Sequence, residues 1–300
     1  MSAPELLADV LIEALPYIQR FQDKIVVVKY GGNAMVDDKL AKMFAQDIVL
    51  MRSVGMRPVV VHGGGPQIGD LLKRLGLKSE FRDGLRVTDA NTLEVVRMVL
   101  EGKVNSEIVS AMNIYGPHAI GVSGGAAGLI RAQARDPELG FVGDVTAVNP
   151  RIIEKLLAED LIPVISTIGE DESGQAYNIN ADTVAAAIAE SLRAEKLVYL
   201  TDVDGLLADV TDPSSLIRRA SVSEARSLIA DGTISGGMIP KIEACIGSVQ
   251  NGVRSVHMLN GTVPHVLLIE LFTDAGIGTM VTSDANAALI ARAQSAVLQH

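Results

Sequence analysis

What most constrains this chain is a set of short, apolar, β-branched runs that do not alternate with polar residues. They fall at residues 24–30, 58–62, 119–122, 162–166, 197–201 and 266–269. A strand with one wet face alternates, whereas a continuous apolar run reads as a strand buried on both faces. Segments with helical spacing lie between the runs. Residues 38–54 place Leu40, Met43, Phe44, Ile48 and Met51 on one side. Residues 88–112 open on Thr88 and Asp89, which can cap a helix, and residues 181–194 are Ala-rich and follow Asn180. Alternating strands and helices predict an α/β fold, an open and mostly parallel sheet sandwiched by helices. Ahead of the first strand, residues 5–23 repeat Leu7, Leu11, Ala14, Leu15 and Ile18 at helical spacing, with Pro16 interrupting. This N-terminal helical extension covers either its own domain or another subunit. Residues 283–300 read as a further Ala-rich helix. An acidic turn at 169–174 is a soft boundary between two lobes.

Composition removes several function classes. The 36 acidic residues exceed the 26 basic ones, for a net charge of −10, so no excess of cations is available to neutralise nucleic-acid phosphates. Aromatic residues make up only 3% and Trp is absent, which argues against a base-stacking platform. The lone cysteine, Cys245, cannot form an intramolecular disulfide and reads as a small buried hydrophobe. Glu5, Asp9 and Glu13 interrupt the first segment, so it does not read as a signal peptide. No apolar run reaches the roughly 18 residues needed to cross a membrane. On these features the default expectation is a soluble cytoplasmic protein.

The glycine clusters carry the first chemical signal. Gly31-Gly32-Asn33 follows the first apolar run and Gly63-Gly64-Gly65 follows the second. Glycine lets a phosphate approach backbone N–H groups closely, and strand C-termini are where open α/β sheets bind ligands. The standard nucleotide signatures fail: there is no P-loop, and Ile68 breaks a G-x-G-x-x-G over residues 63–69. Protein-kinase, EF-hand and zinc motifs are missing too, so no metal-ligand set is expected. Lys29 abuts Gly31-Gly32, and Lys241 follows Gly236-Gly237. Asn178-Ile179-Asn180-Ala181-Asp182 sets polar groups on alternate positions, and Arg86 sits in the turn Gly84-Leu85-Arg86-Val87-Thr88. Each has an ordinary reading alone: snorkelling or surface lysines, helix caps, a solvated arginine. Together they offer two cations, a carboxylate to hold them, and an arginine fork suited to a carboxylate. His62 beside Gly63 reads as structural, and His118, His257, His265 and His300 show no spacing that supports a site.

Taken together, V-V-K-Y-G-G at 27–32, V-H-G-G-G-P-Q at 61–67, G-L-R-V-T at 84–88, N-I-N-A-D at 178–182, L-T-D-V-D-G at 200–205 and G-G-M-I-P-K at 236–241 resemble the amino acid kinase family. The likeness runs in one order from residue 24 to about 282. It implies residues 24–174 as an N-terminal lobe for an acyl substrate, 175–300 as a C-terminal lobe for ATP, and 1–23 as an oligomerisation or regulatory helix. It implies transfer of the γ-phosphoryl of ATP, carried with Mg²⁺, to the side-chain carboxylate of N-acetyl-L-glutamate in arginine biosynthesis. By motif, Lys29 and Lys241 would stabilise the phosphoryl in flight and Asp182 would orient both. Gly64, Gly65, Arg86 and Asn178 would hold the acyl substrate, while Gly31, Gly32, Thr201, Asp202 and Gly205 would line the nucleotide. The leading helix and the run at 265–280 resemble the arginine-inhibited branch. There the N-terminal helices interlace three dimers into a hexamer, and Tyr17, Lys196 and Glu270 would meet the inhibitor. Taken without the resemblance, 265–280 is a core strand and its exit turn. Some members also meet a nitrogen-signalling regulatory protein. The competing expectations are a catalytically silent amino-acid sensor on this fold, or a kinase for a related acylated amino acid.

Overall fold

The computed structural model describes residues 3–297, except 210 and 274–275. Among these residues an eight-stranded sheet crosses the molecule. Its order is Arg219–Ser221, Thr279–Thr282, Ser255–Asn260, Lys196–Thr201, Ile25–Tyr30, Arg57–His62, Ile162–Ser166, Ala119–Ser123. All neighbours are parallel except Ser255–Asn260 and Thr279–Thr282. The continuous apolar runs have a direct cause here. Successive side chains of a strand point to opposite faces, and both faces are covered. Val26 and Val28 enter one core with Phe44, Ile48 and Leu267, while Val27 enters the other with Val59, Ile188 and Cys245.

The predicted helices form, with caps where expected. Asp37 caps Asp38–Ser53, and Asn180 caps Ala181–Ser191 by accepting from Asp182 N at 2.8 Å and Thr183 N at 3.2 Å. Residues 88–112 are less regular than their periodicity predicts. Helix Ala90–Arg97, capped by Asp89, runs into a π-helical stretch, Met98–Val104, and resumes as Asn105–Asn113. The leading segment is helix Ala3–Phe21, which keeps Pro16 inside, and the last is helix Asp284–Val297.

One expectation about the sheet is overturned. Residues 266–269 are not a strand: Val266–Phe272 is a helix, entered through His265 at a left-handed φ of 54°. Val266, Leu267 and Leu271 reach the core at helical spacing, so the run buries one helical face rather than two strand faces. The C-terminal strands are instead Ser255–Asn260 and Thr279–Thr282.

Above the main sheet sits a four-stranded one in the order Ala176–Asn178, Ile168–Glu170, Ile130–Ala134, Gly143–Val148. The acidic turn at 169–174 joins two of these strands as a hairpin. A smaller hairpin, Phe81–Arg82 with Leu85–Arg86, turns at Asp83 and Gly84, both at positive φ. Asp-Gly favours this turn because both central residues need left-handed backbone.

Candidate active site

The C-terminal ends of the central strands open into a cleft of about 320 Å³. Lys29, Gly31, Gly32, Gly64, Gly65, Arg86 and Asn178 line it, so residues from motifs up to about 150 positions apart meet there. Lys29 is the penultimate residue of Ile25–Tyr30, and its side chain is 15% exposed. Its Nζ lies 3.0 Å from Asp182 Oδ1. Asp182 occupies the first turn of Ala181–Ser191, where unpaired backbone N–H groups also favour a carboxylate. Lys241, on Met238–Gln250, lines a small cavity together with Asp182, Tyr199 and Thr201. Asp182 thus pairs with Lys29 and shares a cavity with Lys241. Beneath the pair, burial and the Asp182 charge push the Cys245 thiol up to about 12, so it behaves as a small apolar side chain.

The glycines leave room that side chains would fill. A Cβ on Gly31 would come 3.0 Å from Lys29 Nζ. A Cβ on Gly32, whose φ is 69°, would lie 3.0 Å from Asp202 Oδ1. Gly64 precedes helix Gly65–Arg74 without a side-chain cap, and both Gly64 and Gly65, whose N–H groups no capping side chain occupies, line the cleft. A Cβ on Gly64 would meet Leu100, a residue of the π-helical stretch, at 2.7 Å.

His62 holds this loop from behind. It is fully buried, with Nδ1 2.8 Å from the Gly63 carbonyl and Nε2 3.0 Å from Asn105 Nδ2. Both bonds suit a neutral ring that donates through Nδ1 and accepts through Nε2. Burial lowers its pKa to about 4. The unfolded ring titrates near 6.5, so on acidification the unfolded chain takes up a proton that the folded chain refuses, and stability falls. Between pH 7 and 5 this one group should remove about 2 kcal/mol of unfolding free energy. His62→Gln cannot titrate and should lack that part of the acid loss in denaturant titrations. Equal pH dependence in the variant and the parent would assign the loss to other groups.

Arg86 points into the cleft from the Leu85–Arg86 strand. Its Nη2 donates to the Gly65 carbonyl at 2.9 Å, Nη1 donates to Ser79 Oγ, and its guanidinium stacks 4.6 Å from the Phe81 ring. No salt bridge to it occurs among the described residues. Burial depresses its pKa without bringing it near neutrality. It therefore presents an anchored cation with no carboxylate of its own. Asn178 stands beside it, its Nδ2 donating to Thr88 Oγ1 at 3.2 Å.

A second cavity, of about 400 Å³, follows the ends of the next two strands. Asp202, Gly205, Thr233, Ser235, Met238 and Asn260 are among its lining residues. Of the residues expected along a nucleotide, Asp202 and Gly205 are here. Thr201 lines the small Lys241 cavity, and Gly31 and Gly32 line the first cleft. Sequence reasoning missed Phe81, Leu100 and Asn260. The Asp83-Gly84 hairpin signal could have found the first, and the Asn-Gly pair at 260–261 could have marked the third as a strand end.

The sequence reading gave His257 no role, and here too the structure differs. Lys196 Nζ lies 2.7 Å from His257 Nε2, and His257 Nδ1 lies 2.7 Å from Glu270 Oε1. Glu270 also accepts from Ile277 N at 2.9 Å, and Lys196 Nζ sits 5.2 Å from the ring of Phe21 at the end of the leading helix. Burial, then the Lys196 charge, lowers His257 to about 4, so the ring relays between a cation and an anion as a neutral group. Burial lowers Lys196 to about 8 against the pull of Glu270. Spacing could not reveal this chain, because its members lie on different elements. Tyr17 packs on the core below the leading helix. Of the remaining histidines, His265 bonds Asp47 at 2.6 Å, His118 faces the Tyr115 carbonyl, and His300 lies outside the described residues.

Gly121-Val122-Ser123-Gly124-Gly125 spells the G-x-S-x-G of a nucleophile elbow, but the geometry does not follow. Ser123 Oγ donates to Glu101 at 2.5 Å, and the strand exits into the 3₁₀ turn Ala126–Gly128. No grouping of three or more metal-ligating side chains occurs among the described residues, and no helix there is long and apolar enough to cross a membrane.

Comparison with known proteins agrees with this geometry. The profile of the amino acid kinase family matches residues 24–260. The chain is 55% identical over 277 residues to an acetylglutamate kinase of Synechococcus sp. (strain CC9311), covering 92% of this chain and 97% of that protein. It is 49% identical over 289 residues to an acetylglutamate kinase of Methanocaldococcus jannaschii, covering 92% and 96%. Among solved structures, N-acetylglutamate synthase from Neisseria gonorrhoeae, complexed with coenzyme A and N-acetyl-glutamate, superposes with a TM-score of 0.80 at 28% identity. That match covers 92% of this chain and 63% of the synthase. Carbamate kinase from Giardia lamblia shares the fold, at a TM-score of 0.64 and 18% identity, over 87% of this chain and 99% of that one. On the family match and on relatives that align over nine-tenths of its length, the chain is a kinase belonging to the amino acid kinase family.

Proposed function

We propose that this kinase transfers the γ-phosphoryl group of ATP to the side-chain carboxylate of N-acetyl-L-glutamate, as a cytoplasmic step of arginine biosynthesis. The observation that carries the reading is the cleft itself. One end has the Lys29–Asp182 pair, and the other has Arg86, a buried cation that pairs with no acid among the described residues. A dicarboxylate with its amine blocked fits that spacing of charge. Its α-carboxylate meets Arg86 bidentately, beside Asn178, and its side-chain carboxylate reaches the Gly64-Gly65 N–H groups near Lys29. The nucleotide lies along the second cavity, with Lys241 approaching from that side.

The chemistry needs no general base, because a carboxylate is already an ionised nucleophile at neutral pH. The obstacle is repulsion between two anions. Positioning and charge stabilisation supply most of the catalysis in phosphoryl transfer. Lys29, Lys241 and the glycine N–H groups offset charge on the phosphoryl in flight, and Asp182 keeps the lysines apart and oriented. Mg²⁺ would travel with the ATP phosphates. Such an ion adds charge neutralisation on those phosphates. A silent sensor is disfavoured because Lys29, Asp182 and Lys241 are all present and converge.

Regulation by arginine belongs to the same proposal. Val10, Leu11, Ile12 and Leu15 are between 44% and 68% exposed on helix Ala3–Phe21, an apolar stripe that a second copy would cover in a hexamer. Phe21, at its end, touches Lys196 of the Lys196–His257–Glu270 chain, so an arginine held there by Glu270 would be felt by the helix. The test is ADP release from Mg²⁺, ATP and N-acetyl-L-glutamate, with and without millimolar L-arginine. Turnover that arginine suppresses is expected. Turnover indifferent to arginine removes the effector role of Tyr17, Lys196 and Glu270, and no turnover from folded protein points to a related acylated acceptor or the sensor.

A further inference from the structure

Thr88 closes the motif that carries Arg86, yet nothing in the chemistry above uses it. Its side chain is wholly buried, so its hydroxyl must find partners inside the protein. Oγ1 donates to the Arg86 carbonyl at 2.7 Å and accepts from Asn178 Nδ2 at 3.2 Å. Its backbone is tied as well. Thr88 N donates to the Leu139 carbonyl at 3.0 Å, Phe141 N donates to the Thr88 carbonyl at 2.7 Å, and Asn178 N donates to the Phe141 carbonyl at 2.9 Å. Residues 139–141 therefore act as a strap between the arginine segment and strand Ala176–Asn178. These two segments lie about 90 residues apart in the chain.

We propose that Thr88 is a positioning residue that locks Arg86 and Asn178 into one recognition unit for the acyl substrate. The proposal rests on reading the cleft as the acetylglutamate site. The hydroxyl has one hydrogen, and it is spent on the Arg86 carbonyl. Toward Asn178 it can only accept, so it selects the NH₂ end of that carboxamide and fixes which way the amide faces. One N–H and the Oδ1 of Asn178 are left for the ligand, at a set distance from the guanidinium. Without the hydroxyl the amide can flip, and the Arg86 carbonyl and the half-buried Asn178 amide lose that partner.

Thr88→Val keeps the shape and removes the hydroxyl, while Thr88→Ser keeps the hydroxyl. The valine variant should raise KM for N-acetyl-L-glutamate about 10–100-fold with KM for ATP unchanged. The serine variant should stay within about three-fold of the parent. In an Asn178→Ala background the same valine change should raise KM distinctly less, because one of its targets is already gone. Should the valine variant not fold, Thr88→Cys against Thr88→Ser makes the same comparison, sulfur being a poor substitute for the hydroxyl. A valine or cysteine variant with the parent's KM overturns the proposal, and so does a serine variant that behaves like them. Absence of turnover in the parent would remove the substrate reading itself, a result distinct from parental turnover that the variants leave unchanged.

Discussion

Replacing Lys241 with alanine should lower kcat by about 10²–10³-fold, and KM for N-acetyl-L-glutamate should stay within about three-fold, since removing one charge-stabilising group from a developing anion typically has an effect of that size. Lys241 lines the small cavity with Asp182 and Thr201, whereas Arg86 lines the cleft, so ground-state binding of the acyl substrate should not depend on Lys241. Lys29→Ala should be equally damaging but should also disturb binding. It strips Asp182 of its 3.0 Å partner and leaves a half-buried carboxylate beside an incoming anion. The two variants therefore separate in steady-state kinetics: kcat alone for Lys241, kcat and KM together for Lys29. Near-normal kcat in Lys241→Ala would show that only one lysine works on the phosphoryl group.

The second large effect is expected in stability, at Gly140. Its φ is 68°, and a Cβ built there would lie 2.3 Å from the Thr88 carbonyl oxygen, a backbone atom with little freedom to retreat. Thr88 is held on both sides by the Leu139 and Phe141 hydrogen bonds, so the strain cannot be relieved locally. Gly140→Ala should cost about 3–4 kcal/mol, combining left-handed strain with overpacking. Gly174 is the control. Its φ is 84°, but nothing lies within 4 Å of its Cβ position, so Gly174→Ala should cost only about 1 kcal/mol. Calorimetry on the pair decides the matter: equal falls in Tm would mean that the strap at 139–141 gives way and is not rigid.

Much of the fold was readable because burial on both faces leaves an unbroken apolar run. Val26, Val27 and Val28 alternate between two cores, and no polar residue could sit among them without facing one. Ser255–Asn260 escaped notice for the converse reason. Ser255 and His257 are buried in that strand, but they are satisfied by each other and by Lys196 and Glu270, which no local pattern records. The four-stranded sheet was missed because its strands are short and carry polar outward residues such as Arg131, Gln133 and Asp144. The helix at Val266–Phe272 was misread because a short apolar run does not distinguish a buried strand from a buried helix turn.

The sequence by itself determined the layering, the glycine loops at the strand ends, and the identities of Lys29, Asp182, Lys241, Arg86 and Asn178 as candidates. Each of these follows from a local requirement: an apolar face, a backbone approach, or a charge where a charge would otherwise be costly. Only the tertiary structure decided which of them meet. It set Lys29, on the central strand, against Asp182 in the first turn of a helix and joined Thr88 to Asn178 through the strap at 139–141. It also threaded His257 between Lys196 and Glu270. Those pairings depend on distances between elements remote in the chain. Such distances come from the order in which strands join the sheet and from the packing of helices on its two faces, which side-chain periodicity along one segment does not encode.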